Sequence, residues 1–318
     1  MAGLNTKIDE SQSNIRTITW ENLTWVDVVP PTEAAVKHLQ SQYHFDPLAL
    51  ADCLSHRQIS KMDVFSDYLF FVFHFNHYDK KTRISTRRQW SAFVGKDFIV
   101  TVHTGQLKAL VDMFHDCQTN KEARQKYLSR GSGYLLYQII DQAIDSYFPV
   151  LDKILSLLEE TEHIVFDPNK EATTELSILR RDIITQRMVM FPTRQLLIEM
   201  RSKLNQYSHI QLAENYDDLI DHLNKICQTL DECREVVEVF KDADYTLVTQ
   251  RLNRVVRLLN IIATIVLPFL AVSSLYGMNV PLPGGLERGS LNTFLILFGI
   301  MILLTLGMIY YFRHRRWI

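Results

Sequence analysis

No cationic excess marks this chain: 34 lysines and arginines stand against 36 aspartates and glutamates, a formal net charge of -2, so no global basic field points to nucleic acid. Cysteine is scarce. Cys53, Cys117, Cys227 and Cys233 form no CxxC pair, which argues against a cysteine-zinc framework and reads as a set of reduced cytosolic thiols. No GxxxxGKS or GxxxxGKT phosphate cradle occurs, so ATP is not expected as a driver. No nucleophile-base constellation is present either, and neither an enzyme nor a catalytic cofactor is expected. The first residues, with Asn5, Lys7, Asp9 and Glu10, carry no apolar signal core, so cleavage or export of the large domain is not expected. Glycine is absent from Tyr134 to Tyr276, and formal charge disappears entirely from Leu291 to Phe312.

What remains there is long and apolar. A hydrocarbon core of ~30 Å needs about 20 helical residues, and Leu291 to Tyr311 supplies them. A first run, Leu258 to Tyr276, is also uncharged but contains Asn260, Thr264, Pro268, Ser273 and Ser274, groups that should face protein or water rather than lipid. Between the runs lies a short loop opened by Gly277-Met278-Asn279, so the pair reads as a helical hairpin through a bilayer. Arg251, Arg254 and Arg257 precede it and Arg313, Arg315 and Arg316 follow it, whereas the connecting loop holds only Glu287 and Arg288. Cations collect on the cytoplasmic side, so both termini are expected in the cytoplasm and the protein in the plasma membrane as a multi-pass chain.

Upstream, three parts are expected: a cytoplasmic α/β domain over 1–131, long cytoplasmic helices and a stalk over 132–250, and the hairpin with its basic tail over 251–318. β-Branched and aromatic runs predict strands at Thr17–Trp20, Leu23–Val28, Tyr68–Phe75, Gln89–Val94 and Phe98–His103. Thr32–Tyr43 and Pro47–Leu54 read as helices, the second capped by Asp46 with proline suited to its first turn. His74 and His77 fall at i, i+3 on a strand, hence on opposite faces, and read as core or surface histidines rather than ligands. Later the periodicity predicts one helix from Tyr134 to about Phe166, a second from Glu171 to Tyr207 with a kink at Pro192, and a third from Ile210. The third meets no proline or glycine before Pro268, so it is expected to run unbroken from cytoplasm into membrane and to transmit tilt or rotation between them.

Tyr276-Gly277-Met278-Asn279, placed between two apolar runs, resembles the signature turn of the CorA-type family of divalent-cation channels. The similarity continues through Asn260 to Pro268, the basic tail Arg313 to Trp317, Tyr134 to Tyr137 with Asp141 and Asp145, Tyr216 to His222, and Asp46 to Asp52. The resemblance implies a funnel-shaped homopentamer with a central pore lined by the first span, magnesium as its most expected substrate, and cobalt or nickel as further ones. By the same resemblance, Asp52 and Asp218 fall where the family places a regulatory magnesium site between subunits, so Mg2+ is expected as substrate and as regulatory ligand. The companion acid that the family often has before the first aspartate is Ala51 here, which implies a weaker site or a single ion.

Physical argument reaches oligomerisation separately, because two helices cannot enclose a water-filled path without exposing a polar face to lipid. At ~3.5 residues per turn, Asn253, Val256, Asn260, Ala263, Leu267, Leu270 and Ser274 fall near one stripe, and Val256, Leu259, Ala263 and Leu267 suit apolar constrictions within a pore. Gly277, Met278 and Asn279 are the candidate selectivity filter. Magnesium dehydrates reluctantly, and a ring of neutral Asn279 amides can hydrogen-bond to its waters without stripping them. The loop that follows has a single acid, Glu287, beside Arg288, so cation concentration at the outer mouth should be weak. Two other readings stand beside the channel: a zinc transporter of the same superfamily, against which Met278 argues, and a cytoplasmic scaffold or sensor anchored by the hairpin.

Overall fold

A computed structural model describes residues 14–55, 58–79, 83–167, 170–201, 203–204, 212–278 and 291–315. The chain divides into two compact units, 1–241 and 242–318.

The first unit is built on a six-stranded sheet in the order β1-β2-β6-β5-β4-β3. β1 (Ile15–Trp20) and β2 (Leu23–Val28) form an antiparallel hairpin, β2 then runs parallel to β6 (Phe98–His103), and β6, β5 (Ile84–Gly95), β4 (Tyr68–Asp79) and β3 (Lys61–Val64) complete an antiparallel series. Alternation along the strands feeds two cores. Val26, Phe70, Val72, Phe93, Val100 and Val102 point to one face, where α1 (Glu33–Tyr43) and α2 (Pro47–Leu54) bury Ala35, Leu39, Ala49 and Leu50 against them. Phe45, between those helices, stacks on Phe93 with centroids 4.0 Å apart. Burying such a ring contributes about 1.5–3 kcal/mol, so α1 and α2 are held chiefly by this aromatic layer.

Capping fixes where those helices begin. Thr32 accepts a hydrogen bond from the Ala35 N–H at 3.2 Å, and Asp46 accepts from Leu48 and Ala49 at 2.8 and 3.3 Å, with Pro47 where its missing N–H costs nothing. On the opposite face lie α3 (Lys108–Thr119), α4 (Lys121–Leu128), α5 (Ser132–Asp145), α6 (Phe148–Val165) and α7 (Thr173–Met200). There Trp25 meets Phe114 edge-on at 4.9 Å, and the Ser132 hydroxyl donates to the Gly95 carbonyl. α7 is tied to the sheet by polar contacts as well: Ser85 N–H donates to Asp182, and Gln186 bonds both Ser85 and Asn76.

The expected helix from Tyr134 to Phe166 is two helices. The break falls at Ser146-Tyr147 because Pro149 occupies the first turn of α6, where it cannot donate to the Asp145 carbonyl and its ring excludes a continuing helix. The Tyr147 hydroxyl, buried in the joint, donates to Gln186 at 2.9 Å. α7 closes at Met200, short of Tyr207, which lies outside the described residues; Pro192 sits inside it. β3, α3 and α4 were not anticipated, since β3 is four residues of half-exposed Lys-Met-Asp-Val and α3 starts without a side-chain cap.

His74 and His77 do fall on opposite faces, buried and exposed respectively. His74 Nδ1 lies 3.0 Å from Ser60 Oγ, and burial, with Arg87 nearby, brings its pKa down to about 4, so the ring is neutral. The four cysteines are buried and unpaired. Burial pushes the Cys53 and Cys117 thiols up to about 12 and Cys227 to about 11, so they stay protonated and unreactive. α8 (Ala213–Gly277, 65 residues) crosses the boundary between the units, and α9 (Leu291–His314) completes the second.

Candidate metal-ion path

α8 and α9 are long and apolar enough to cross a membrane. They pack against each other through Ile265, Pro268, Phe269 and Val272 of α8 and Leu297, Ile300, Met301 and Leu304 of α9, which line a small apolar cavity of about 50 Å3. Ile261 of α8 and Phe312 of α9 are the buried hydrophobic residues of this hairpin, at 5% and 7% exposure. Pro268 interrupts the α8 hydrogen-bond ladder on the face turned to α9, where its ring fills space between the helices.

At ~100° per residue, the stripe named from sequence lies roughly 150° around α8 from that contact. Asn253, Val256, Asn260, Ala263, Leu267, Leu270 and Ser274 are all exposed, as is Leu259 at the edge of the stripe. Leu267 and Leu270 are 62% and 60% exposed. The chain's own second span therefore leaves this face free, and it alternates amides, a hydroxyl and branched apolar groups.

Gly277 closes α8, and the Met278 N–H donates to the Leu275 carbonyl at 3.3 Å. A Cβ built on Gly277 meets no described atom within 4 Å, so contacts within one described chain do not account for glycine there. Met278 is half-exposed. Asn279 lies outside the described residues.

The two carboxylates expected to hold a regulatory ion have different surroundings. Asp52, near the C-terminal end of α2, has both oxygens engaged: Lys61 Nζ stands 2.8 Å from Oδ2, and the Gln58 amide donates to Oδ1 at 2.5 Å. The same ammonium reaches Asp63 at 2.6 Å, and the two acids hold the Lys61 pKa up against the desolvation that lowers it. A cation from solution thus meets an Asp52 that already has a tethered one. Asp218, on α8, is two-thirds exposed, and His222 Nε2 stands 3.9 Å from its Oδ1. It belongs to an acidic neighbourhood with α5: burial raises the Asp141 pKa, Asp145 and Asp218 raise it further, and His222 opposes them. No described hydrogen bond or ion pair joins Asp52 to Asp218, and among the described residues no group of three or more His, Cys, Asp or Glu is placed to hold a metal ion.

One arrangement escaped sequence reading. Asp27, wholly buried on β2, accepts from Thr101 at 2.7 Å and from His103 Nε2 at 2.9 Å, and pairs with Arg16 at 2.5 Å. His103 Nδ1 accepts the Gly105 N–H at 3.0 Å, which puts the ring hydrogen on Nε2, facing Asp27. Asp27, Thr101 and His103 are all buried, so the cluster is a structural network closed to solvent and not an open site.

A family profile described as CorA-like Mg2+ transporter protein matches residues 20–315. YfjQ of Bacillus subtilis (strain 168) is 30% identical over 296 residues, covering 92% of this chain and 89% of that one. The cobalt/magnesium transport protein CorA of Thermotoga maritima is 25% identical over 305 residues, covering 95% and 84%. In fold, the chain is similar to the complete structure of the CorA magnesium transporter from Methanocaldococcus jannaschii, with a TM-score of 0.80 at 21% identity over 95% of this chain and 94% of that one.

Proposed function

The chain belongs to the family of CorA-like Mg2+ transporter proteins, and on that premise we propose that it is a passive channel for hydrated divalent cations, magnesium first, assembled from five copies. In this reading it is a plasma-membrane protein with both termini in the cytoplasm, the α8 stripe faces a central axis, and Gly277, Met278 and Asn279 of each copy form the ring at the outer mouth. The observation that supports it best is the free stripe: α9 covers the Ile265–Val272 side and leaves exposed the face bearing Asn253, Asn260 and Ser274. Such polar groups are costly against hydrocarbon, and facing water inside an assembly removes that cost.

The membrane potential supplies the drive, about 4.6 kcal/mol per 100 mV for a divalent cation entering a negative interior, twice the ~2.3 kcal/mol of one charge. Asn279 amides suit an ion that keeps its water, and the exposed Val256, Leu259 and Leu267 suit apolar constrictions that close by excluding water. For regulation, Asp218 is the more available carboxylate, because Asp52 already holds Lys61. Cytoplasmic Mg2+ bound at Asp218 would relieve the repulsion with Asp141 and Asp145 and favour a closed state.

Proteoliposome uptake of magnesium, cobalt, nickel and zinc at equal gradients, with and without a pH gradient, tests substrate and coupling together. Magnesium uptake independent of the pH gradient is expected, and Asn279→Ala should abolish it while leaving the assembled particle intact. Unchanged uptake in that variant would sink the pore assignment and leave the anchored scaffold. Uptake of zinc that needs a proton gradient would move the chain to the zinc-transporting branch.

A further inference from the structure

A second feature of the hairpin lies beside the α8 stripe. Toward the end of α9, an open groove of about 540 Å3 is walled by Thr264 of α8 and by Leu303, Leu304, Gly307, Tyr311 and Phe312 of α9. Gly307 makes the groove: a Cβ built there meets no described atom within 4 Å, so the absent side chain leaves room along the helix. Thr264, the one polar residue of α8 on the wall, donates its hydroxyl to the Asn260 carbonyl at 2.7 Å, so its donor is already used. The groove is therefore apolar along its length. At its mouth the chemistry changes sign. The Arg315 guanidinium lies 5.8 Å from the centroid of the Tyr311 ring that forms the wall, and it is exposed.

An apolar groove within a span, ending in an arginine, has the two-part chemistry of a phospholipid with a negative headgroup. The acyl chain takes the groove and the phosphate meets a guanidinium, which forms strong charge-assisted hydrogen bonds with phosphate oxygens. A zwitterionic lipid offers the same chain, but its ammonium opposes the arginine. We propose that this groove binds one acyl chain of an anionic membrane phospholipid, with its headgroup phosphate at Arg315.

The inference rests on α8 and α9 spanning a bilayer. It is tested with the full chain in phosphatidylcholine vesicles carrying a trace of either phosphatidylglycerol or phosphatidylcholine spin-labelled on the acyl chain. The motion-restricted fraction of the label reports lipid held by the protein. Restricted phosphatidylglycerol should exceed restricted phosphatidylcholine by about fivefold, the effect of one cation near a headgroup. Arg315→Gln should bring the two toward parity without lowering the phosphatidylcholine signal. Gly307→Leu, whose Cβ meets no described atom within 4 Å and whose side chain occupies the groove, should lower both. Equal retention of the two lipids by the unaltered chain overturns the proposal, and so does a Gly307→Leu variant that holds both as before. If Gly307→Leu changes instead the mass of the assembled particle with lipid retention unaltered, the groove seats a second copy and the proposal falls. Divalent-cation uptake in the same vesicles separates the two readings. Selectivity absent with uptake intact removes only the lipid site, while selectivity present with uptake absent removes only transport.

Discussion

Asp27 carries a carboxylate into the middle of the sheet, where an unpaired charge would be costly. Burial raises its pKa, but the hydrogen bond from His103, then those from Thr101 and Arg16, outweigh that and leave it below the ordinary 3.8. The folded chain thus binds this proton less tightly than the unfolded chain does. Its contribution to stability is complete above pH 3.8 and is lost as pH falls through the lower folded value. Asp27→Ala leaves the buried Thr101 and His103 donors without an acceptor and frees a partly exposed Arg16, so it should cost about 1–3 kcal/mol for each stranded donor. Thermal melts of the full chain in detergent, followed by near-ultraviolet circular dichroism, would read this as a lowered transition and a flatter dependence on acid. A loss of about 1 kcal/mol or less, as for an exposed pair, would show the network to be incidental. None of this was visible in sequence, although Leu23–Val28 was recognised as a strand. The partners Thr101 and His103 lie on β6, and only the parallel register Asp27↔Thr101 brings them alongside. Likewise Asp52 could be located on a helix, but Lys61 was not foreseen as its partner, because the short β3 that carries Lys61 has little strand signal.

At the scale of elements, legibility followed local signal. Asp46 announced α2 through its cap, the expected helix Thr32–Tyr43 matches α1 with Thr32 as its cap, and the alternating aromatic runs announced β1, β2, β4 and β6 to within two residues at their starts. β5 extends back to Ile84, well before the expected Gln89, because Thr86, Arg87 and Arg88 pair across to β4 with exposed side chains and carry no apolar pattern. Pro149 was the overlooked signal, and it separates α5 from α6. That separation matters for charge, since α5 carries Asp141 and Asp145 into the neighbourhood of Asp218 on α8. A divalent cation is the natural relief for carboxylates brought together from two helices. Asp218→Ala removes one of the groups that raise Asp141, so cytoplasmic Mg2+ should inhibit the variant's currents less and the inhibition curve should shift to higher concentration. Patch-clamp recording with Mg2+ titrated on the cytoplasmic face measures the shift. An unchanged inhibition curve would mean that these acids only form a solvated face.

For the whole molecule, the deciding fact is how little of the hairpin one chain covers: 6% of each spanning window is buried. Lipid can take Leu258 or Ile262, but not comfortably the amide of Asn260 or the hydroxyl of Ser274, so part of the α8 surface must find either water or another copy. Sequence periodicity identified the face because polar residues recur on it. The number of copies does not follow from one chain, since the groups that close the assembly belong to its neighbours. Its geometry is nonetheless testable, because the four native cysteines are buried and an introduced thiol on the span will react alone. If the stripe surrounds an axis, Ala263→Cys brings thiols from different copies close together, whereas Leu306→Cys, exposed on α9, holds them apart. Mild oxidation in membranes should therefore give a disulfide-linked dimer for the first variant and monomer for the second, and soft-metal ions should block divalent uptake only in the first. Cross-linking at Leu306 and not at Ala263 would place α9, not α8, at the contact, and the pore would have to be sought on the other helix.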